Sequence, residues 1–537
     1  MTRTLVVWGT SSHAGKSWLV TALCRIAAQR GLRVAPFKAQ NMSNNARVVT
    51  RPDGEVGEIG TAQYFQALAA RAVPTTDMNP VLLKPERDTA SQVVVHGRAD
   101  AALSCMPWRE RSALLAVQAQ QAFERLAAAH ELIVIEGAGS PAEINLAPED
   151  YVNLGAARWA CAHGPTAALL VADIDRGGAF AHLQGTWTLL PDDLRGLVQG
   201  FVLNRFRGDA ALLAPGPQML ERHTGVPTVG VVPMLRDHGV PEEDALFDTA
   251  VPARGLHAVH GPSVPNGQSG PNGPNGPHGG LAKALRVAIV AAPHISNFDE
   301  FQPLLGVPGL ELCWARDAGA LRGADWVLLP GSKQVSGDLA WLRRQGLDAA
   351  LQAHVLRGGP VLGVCGGLQM LGEWLHDPEG HDGEPVHERA GLGLLPLRTE
   401  FAATKQLRAA PVRFGAVAGA WAALAGLEVD AYEIRCGRTH LQRLTPGPAP
   451  MHGGAALARS ASVAQTQPVL FDAEGAAIGW QRGQVLGITA HGLFESPAAL
   501  QALFGADVAT LDQRFDRVAA WVEQHLDAAP LARWLGR

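Results

Sequence analysis

The sequence predicts two α/β domains, each built on a parallel β-sheet and joined by a flexible linker. Short apolar runs rich in Val, Ile and Leu alternate with helical patterns in both halves of the chain, and a Pro/Gly/Asn-rich segment separates the halves. With 537 residues, the chain is too long for a single hydrophobic core. In parallel sheets, ligands bind at the carboxyl ends of the strands, so site residues are expected there.

The apolar runs give the order of the strands. They cover residues 4–8, 33–37, 131–135, 167–172 and 200–203 in the first half, and residues 286–291, 326–329, 360–364 and 485–488 in the second. Helical patterns lie between them, such as residues 16–30, which end before Gly31. This alternation is typical of parallel α/β sheets.

A low-complexity segment divides the chain. Residues 260–280 read HGPSVPNGQSGPNGPNGPHGG, a composition that cannot form a packed core. The predicted organisation is therefore a first domain over residues 1–255, a flexible linker over 256–284, a second domain over 285–500 and a helical tail over 501–537.

Composition excludes several classes of protein. Apolar residues make up 47% of the chain and charged residues 18%, and the formal net charge of −5 gives no basic field for nucleic acid. The N-terminal apolar run is too short for a signal peptide, and no stretch is predicted to span a membrane. The six cysteines form no CxxC pair, which favours a reducing, cytoplasmic setting without a disulfide framework.

The first motif, GTSSHAGKS at residues 9–17, lies between a predicted strand and a predicted helix. Such a turn directs backbone N–H groups and the positive end of the helix dipole at phosphates. The predicted ATP-binding residues are Gly9, Thr10, Gly15, Lys16 and Ser17. The lysine would reach the outer phosphates and the serine hydroxyl would hold Mg²⁺. Thr10 stands where the usual motif has its first glycine, and the alternative is a tight turn with a surface lysine.

Acidic residues at neighbouring strand ends are candidates to complete a magnesium site. Glu136 follows one predicted strand, Asp173 and Asp175 follow another, and Glu58 is a further candidate. The alternative is that these acids are solvated or cap helices. Lys38 ends a strand in the same half, and it could clamp a phosphate or a substrate carboxylate, or be a surface lysine.

Cys365 lies on a glycine-flanked turn, GVCGG, between predicted strand 360–364 and a helical pattern over residues 368–375. This arrangement is typical of a nucleophile on a strand-to-helix elbow, where the helix N-terminus activates the thiol and stabilises an oxyanion. Backbone N–H groups at Gly366 and at Gly331, in the turn PGSK, are the predicted oxyanion and glutamine-binding groups. A buried structural cysteine is the alternative.

The general base should be a histidine distant in sequence. His491 is the best candidate, because it follows the apolar run 485–488 and precedes a glycine. Glutaminase triads often have a glutamate two residues after the histidine, but that position is Leu493, and Glu495 does not have this spacing. We therefore expect either a Cys–His dyad or an orienting group elsewhere in the chain.

Taken together, these motifs resemble the cobyric acid synthase family, the glutamine-hydrolysing amidotransferases of the cobalamin pathway. The matching stretches extend from residue 9 to residue 494, and DMNPVLLKP and SQVVVHG are the most specific. The other matching stretches are GTSSHAGKS, RVAPFKAQNMS, GEIGTAQ, VIEGAGSPAEINL, ADIDRGG, LPGSK, GVCGGLQMLG, GLGLLP, YEIRCGRTH and HGLF. The chain departs from the family pattern at His13, at Trp18 and at Arg435-Cys436.

The resemblance implies a dethiobiotin-synthetase-like P-loop domain, which binds ATP and activates an acid, followed by a class I glutamine amidotransferase domain. It implies that ATP, Mg²⁺ and glutamine are used to amidate the b, d, e and g carboxylates of adenosylcobyrinic acid a,c-diamide, which gives adenosylcobyric acid. Cys365 corresponds to the family nucleophile and His491 to its histidine.

Two alternative functions are also compatible with the motifs. One is the same chemistry on another acid, such as the a and c positions of cobyrinic acid or a cell-wall lipid intermediate. The other is a non-catalytic P-loop ATPase with an inactive glutaminase domain. The residues that contact the corrin ring, the order of the amidations and the oligomeric state do not follow from the sequence.

Overall fold

The computed structural model describes residues 2–87, 90–236, 238–241, 284–383, 385–442 and 466–535. The predicted linker, residues 256–284, lies outside the described residues except for Ala284. The chain divides into two compact units: Met1–Ala250 together with Ala509–Arg537, and Val251–Val508.

The first unit alternates strands and helices along the chain. Its strands β1–β12 are Arg3–Gly9, Val34–Phe37, Gln40–Met42, Ala46–Thr50, Val56–Gly60, Val81–Arg87, Ala90–Val95, Arg98–Asp100, Leu132–Glu136, Thr166–Asp173, Val198–Phe206 and Thr228–Pro233. Its helices α1–α8 are Lys16–Gln29, Thr61–Ala69, Ala101–Cys105, Trp108–Ala129, Ala156–His163, Ala179–Leu189, Asp192–Arg195 and Gly216–Thr224. Short 3₁₀ turns cover Thr76–Met78, Ala147–Glu149, Ile174–Arg176 and Ala210–Leu213, and Tyr151–Gly155 is a π-helical turn.

A six-stranded parallel sheet forms the centre of this unit, in the order β12-β11-β10-β1-β9-β2. Alternate side chains of β1 enter different cores: Leu5 and Val7 pack on one face, Val6 and Trp8 on the other. Both faces are therefore covered, as the continuous apolar runs predict. The carboxyl ends of β1, β9 and β10 lie side by side at one edge of the sheet.

The second unit contains a larger sheet. Its strands β13–β25 are Leu285–Val290, Ile295–Ser296, Leu310–Ala315, Trp326–Leu329, Gly331–Ser332, Val361–Val364, Trp374–Asp377, Val386–Ala390, Leu397–Phe414, Glu428–Leu441, Gln467–Phe471, Ala477–Arg482 and Val485–Ile488. Its helices α9–α12 are Val335–Arg344, Leu347–Leu356, Gly366–Leu371 and Pro497–Phe504, and 3₁₀ segments cover Phe298–Gly306, Gly419–Leu424 and Leu493–Glu495.

This sheet is mixed, so the prediction of a parallel sheet holds only for part of it. The strands in the order β15-β13-β16-β18-β25 pair in parallel, and β24, β23, β21 and β22 extend the sheet with antiparallel pairs. The strands β21 and β22 are interrupted by charged residues and are partly exposed. Because they contain no continuous apolar run, the pattern that marks buried parallel strands does not reveal them.

The C-terminal segment, predicted as a helical tail, folds as part of the first unit. Helices α13 and α14 are Leu511–His525 and Ala528–Leu535. Phe515 and Val518 pack in the same core as α1. The buried Arg25 of α1 pairs with Asp512 at 3.0 Å and with Asp516 at 2.6 Å. Among the described residues, no helix has both the length and the hydropathy that a membrane span requires.

Candidate active sites

The predicted phosphate loop connects β1 to α1 in the first unit. Gly15 lies at the N-terminal cap of α1 with a φ of 88°, in the left-handed region that glycine adopts readily. Asn204, at the end of β11, donates from Nδ2 to the Ala14 carbonyl at 3.0 Å. The loop is thus fixed to the carboxyl edge of the sheet, with the N-terminus of α1 directed at the space beyond it.

Lys16 extends back over the loop. Its Nζ donates to the carbonyls of Ser11 at 2.8 Å and Gly139 at 3.0 Å, and only 7% of the residue is exposed. A Cβ atom at Gly9 would lie 2.8 Å from this Nζ, which is too close for a carbon atom. Gly9 is therefore the residue that leaves room for the lysine side chain.

Two other predicted site residues, Ser17 and Lys38, meet at Glu136, together with Gln66, which the sequence did not indicate. Its Oε1 accepts hydrogen bonds from Ser17 Oγ at 2.8 Å and Lys38 Nζ at 2.7 Å, and its Oε2 accepts from Gln66 Nε2. Burial opposes ionisation, but the Lys38 charge and these hydrogen bonds outweigh it and lower the pKa of Glu136 below its usual value. An ionised carboxylate beside the Ser17 hydroxyl is a suitable donor set for Mg²⁺.

The two aspartates at the carboxyl end of β10 differ in their surroundings: Asp173 is its last residue and Asp175 lies in the following turn. Asp173 is buried, and its Oδ2 lies 3.4 Å from both Arg176 and Arg205. Asp175 accepts from Arg207 Nε at 2.7 Å. In the part of the chain that the structure describes, no group of three His, Cys, Asp or Glu side chains could hold a metal ion. Magnesium in phosphate sites usually has one or two carboxylate ligands, so Ser17, Glu136 and Asp173 still fit it.

A cavity of about 590 Å³ joins these residues. It is lined by Gly15, Lys16, Ser17, Lys38, Glu136, Asp173 and Asp175, and also by His13 and Trp18, where the sequence departs from the family pattern. Glu58, the further candidate, is instead buried in an ion pair with Lys84. The cavity lies at the carboxyl edge of a parallel sheet, as the position of the motifs predicts.

The second site lies in the other unit, where Cys365 follows β18. Its backbone has φ 50° and ψ −106°, a conformation that non-glycine residues rarely adopt and that is typical of nucleophile elbows. A Cβ atom at Gly366 would lie 2.6 Å from the Ser332 backbone N, so this position requires glycine. Helix α11 ends at Leu371, and residues 374–377 form β19, so the prediction of one helix over 368–375 is wrong at its C-terminal end. The chain turns at Gly372, because the next residues pair with β21.

His491 is oriented by a carboxylate that the sequence did not reveal. Its Nδ1 lies 2.9 Å from Glu300 Oε1, and the Gly492 backbone N donates to Glu300 Oε2 at 3.1 Å. On its other side His491 faces Cys365, whose charge and side chain contribute to raising the pKa of the imidazole. The arrangement is therefore a Cys365–His491–Glu300 triad, and the orienting group lies in the 3₁₀ segment Phe298–Gly306.

Both side chains of the His491–Glu300 pair are 1% exposed. Burial by itself would lower the pKa of His491, but the charges of Glu300 and Cys365 and the hydrogen bonds to both outweigh it, and the pKa is raised to about 10. A protonated imidazole beside the thiol can supply the proton that a leaving group needs.

Two further features complete this pocket. The ring of Tyr432 stacks on His491 with centroids 5.1 Å apart, and the Cys365 thiol donates to the Ile434 carbonyl at 3.7 Å. Arg435, one of the departures from the family pattern, donates from Nε to Glu433 Oε1 at 2.9 Å. The segment that contains YEIRC therefore borders Cys365 and His491.

The fold and the two sites define a glutamine amidotransferase joined to a nucleotide-binding domain. Two family models agree with this class: a CobQ/CobB/MinD/ParA nucleotide binding domain matches residues 5–245, and a CobB/CobQ-like glutamine amidotransferase domain matches residues 286–499.

Full-length relatives identify the particular family. A cobyric acid synthase of Paracidovorax citrulli is 55% identical over 100% of this chain and 99% of its own length. One of a Polaromonas species is 54% identical over 99% of this chain and 98% of its own. The chain belongs to the cobyric acid synthase family. A solved glutamine amidotransferase structure covers 47% of this chain and 99% of its own, at 16% identity and a TM-score of 0.27, and adds nothing to the assignment.

Proposed function

We propose that the protein catalyses the ATP- and glutamine-dependent amidation of the b, d, e and g carboxylates of adenosylcobyrinic acid a,c-diamide, giving adenosylcobyric acid. The observation that carries this proposal is the full-length identity of 55% to a cobyric acid synthase, together with a complete triad in one unit and a phosphate loop in the other. The mechanism has two half-reactions.

The first half-reaction releases ammonia from glutamine. The Cys365 thiolate attacks the side-chain carbonyl carbon, and the C–N bond breaks as His491 gives its proton to the departing ammonia. Backbone N–H groups at Gly331 and Gly366 would stabilise the oxyanion. Water then hydrolyses the thioester, which yields glutamate and the free thiol. The buried Glu300 keeps Nδ1 of His491 occupied, so that Nε2 faces the thiol.

The second half-reaction activates the acid. A corrinoid carboxylate oxygen attacks the γ-phosphorus of ATP, ADP leaves, and ammonia displaces phosphate from the acyl phosphate. Gly9, Thr10 and Gly15 would shape the loop around the phosphates, and Lys16 would neutralise charge on the transferred group. Ser17, Glu136 and Asp173 would hold Mg²⁺, which supplies further charge neutralisation when bound. Lys38 would orient the acyl or phosphoryl oxygens.

Incubation with adenosylcobyrinic acid a,c-diamide, ATP-Mg and glutamine, followed by mass spectrometry of the corrinoid, tests the reaction. Stepwise conversion of four carboxyl groups to carboxamides is expected. An unchanged corrinoid alongside ATP turnover on cobyrinic acid or another acid would replace this function with the same chemistry on that acid.

A Cys365→Ser variant separates the two sites. It should lose glutamine-driven amidation and retain amidation driven by ammonium salts. Loss with both nitrogen sources in a folded variant would contradict the two-site scheme. Failure of a glutamine-like diazoketone to label the wild-type thiol would favour a non-catalytic ATPase with an inactive glutaminase domain.

A further inference from the structure

Gly331–Ser332, the two-residue strand β17 in the turn after β16 (hereafter the turn), forms one wall of the glutaminase pocket. A Cβ atom at Gly331 would lie 3.0 Å from His491 Cε1, and one at Gly366 would lie 2.6 Å from the Ser332 N. The turn therefore touches both the base and the nucleophile elbow. Small shifts of this backbone would change the direction of any N–H group that binds the oxyanion, and such donors act only over a narrow range of geometry.

A fully buried carboxylate, Asp338, holds this turn. Its side chain is 0% exposed, and its Oδ2 accepts a hydrogen bond from Ser332 Oγ at 2.6 Å. The same hydroxyl accepts from the Gln334 backbone N at 3.1 Å. The turn is therefore tied to the first turn of α9 by a hydrogen bond to a buried charge, which is stronger than one between neutral groups.

Asp338 also contacts the segment that pairs with the turn. Its Oδ1 lies 2.8 Å from His294 Nδ1 and accepts from the His294 backbone N at 3.2 Å. His294 directly precedes β14, which pairs antiparallel with the turn through Ile295 and Ser296. The hydrogen bond to Asp338 is the largest cause that raises the pKa of His294 above its usual value.

Capping of α9 does not explain why Asp338 is buried. Another carboxylate, Asp382, accepts from the backbone N–H groups of Val335 at 2.8 Å and Ser336 at 2.7 Å. The first turn of α9 is thus capped independently. A charged group is costly to bury, and one oxygen of Asp338 accepts from Ser332 in the turn while the other contacts His294, which precedes the strand paired with it. These contacts indicate that Asp338 holds the Gly331–Ser332 backbone in place and does not serve as the cap of α9.

We propose that Asp338, acting through Ser332 and His294, is a positioning residue that fixes the Gly331–Ser332 backbone for stabilisation of the glutaminase oxyanion. The proposal rests on the proposed function, because it requires that Cys365 hydrolyse glutamine. Asp338 acts through the turn and does not touch the substrate. Its loss should therefore slow the chemical step while leaving the intrinsic reactivity of the thiol intact.

The test uses full-length Ser332→Ala, His294→Ala and Asp338→Asn variants. The expected result is a fall in kcat for glutamine hydrolysis of about 10- to 100-fold for Ser332→Ala and Asp338→Asn, less than the loss of a whole oxyanion donor. His294→Ala should show a smaller fall, since it leaves the Ser332 contact in place. KM for glutamine should change less than about threefold, because the turn acts on the transition state.

Two reagents that label Cys365 distinguish a loss of oxyanion positioning from damage to the fold. The rate of labelling by a glutamine-like diazoketone should fall with kcat, whereas alkylation by iodoacetamide, which needs no oxyanion donor, should stay within about twofold of wild type. Amidation driven by ammonium salts should be unchanged. His381→Ala removes another histidine–carboxylate pair of the same unit, with Glu379 at 2.8 Å, and is the matched control.

The outcomes are distinct. Wild-type kcat in folded Ser332→Ala and Asp338→Asn variants would overturn the positioning role and leave the proposed function standing. An equal fall in iodoacetamide alkylation would mean that the elbow itself is deformed, and would also overturn it. No glutamine hydrolysis by the wild-type protein would refute the proposed function. If Asp338→Asn does not fold, Ser332→Ala decides, because it removes one hydroxyl group.

Discussion

Replacement of Glu300 by glutamine tests the triad directly. Glu300 and His491 are buried side by side, with 2.9 Å between Oε1 and Nδ1. Glutamine has nearly the same shape, so the substitution removes the charge and allows the amide to present its NH₂ group to Nδ1. That contact would favour the wrong tautomer of His491, with its proton directed away from the leaving group.

The size of the expected fall in kcat follows from the loss of the Glu300 charge. Two unit charges about 4 Å apart interact by about 4 kcal/mol at an effective dielectric constant of about 20, which is equivalent to about three pKa units. The pKa of His491, about 10 beside Glu300, should therefore fall towards its ordinary value. In the transition state His491 carries the proton that goes to the departing ammonia, so losing an interaction of about 4 kcal/mol there should decrease kcat for glutamine hydrolysis by about 10³-fold.

The assay is glutamate release at saturating glutamine, with ammonium-driven amidation and the melting temperature as controls. Ammonium-driven amidation should stay near the wild-type value, because the change leaves the ATP site intact. The melting temperature should fall, since a buried ion pair is lost, but a cooperative transition shows that the variant still folds. Glu495→Gln, at the acid closest to His491 in sequence, is the matched variant and should keep kcat within about twofold. The triad is falsified if folded Glu300→Gln hydrolyses glutamine at a rate within threefold of wild type.

Two further predictions concern the nucleotide site. Gly9→Ala places a methyl group 2.8 Å from Lys16 Nζ and should displace the lysine; the Kd for ATP, measured by calorimetry, should rise by at least about tenfold, and an unchanged Kd would contradict this role. Since the pKa of Glu136 is lowered in the folded protein, its stabilisation is present above the unfolded pKa and is lost as pH falls through the native pKa. Glu136→Gln leaves Lys38 buried without its charged partner, so it should lower the free energy of unfolding by about 3–5 kcal/mol at pH 7. In this variant the free energy of unfolding should also fall less between pH 7 and pH 3 than in the wild type. Denaturant titrations over that pH range measure both effects.

Periodicity and motif position predicted the parts of the fold that are buried on both faces. Trp326–Leu329 and Val485–Ile488 have the bounds that their apolar runs gave. The motif residues also meet as expected, because the carboxyl ends of neighbouring parallel strands share one edge. Lys38 directly follows β2 and Glu136 is the last residue of β9, and these strands pair in register, with Phe37 opposite Ile135. Their ion pair would have been predictable once the strand order was known.

Glu300 could not be found by spacing, because it lies 191 residues before His491 in the chain. A triad depends on proximity in space, whereas the position two residues after the histidine is Leu493 and the nearest acid in sequence, Glu495, does not have that spacing. A physical signal was nevertheless present. Glu300 stands between Phe298 and Phe301 in the chain, and all three residues are buried. A carboxylate within such an apolar segment must have a charged or hydrogen-bonding partner.

Thr10 stands where the usual motif has its first glycine, and the backbone geometry explains why threonine is accepted there. The Thr10 backbone N donates to the Val171 carbonyl at 2.9 Å, which continues the parallel pairing of β1 with β10, and Thr10 is not among the residues with positive φ. Nothing in its backbone therefore demands glycine. The position that has no room for a side chain is one residue earlier, at Gly9, because Lys16 passes over the loop there. The path of the lysine determines where glycine is required, and the shifted spacing preserves the phosphate loop.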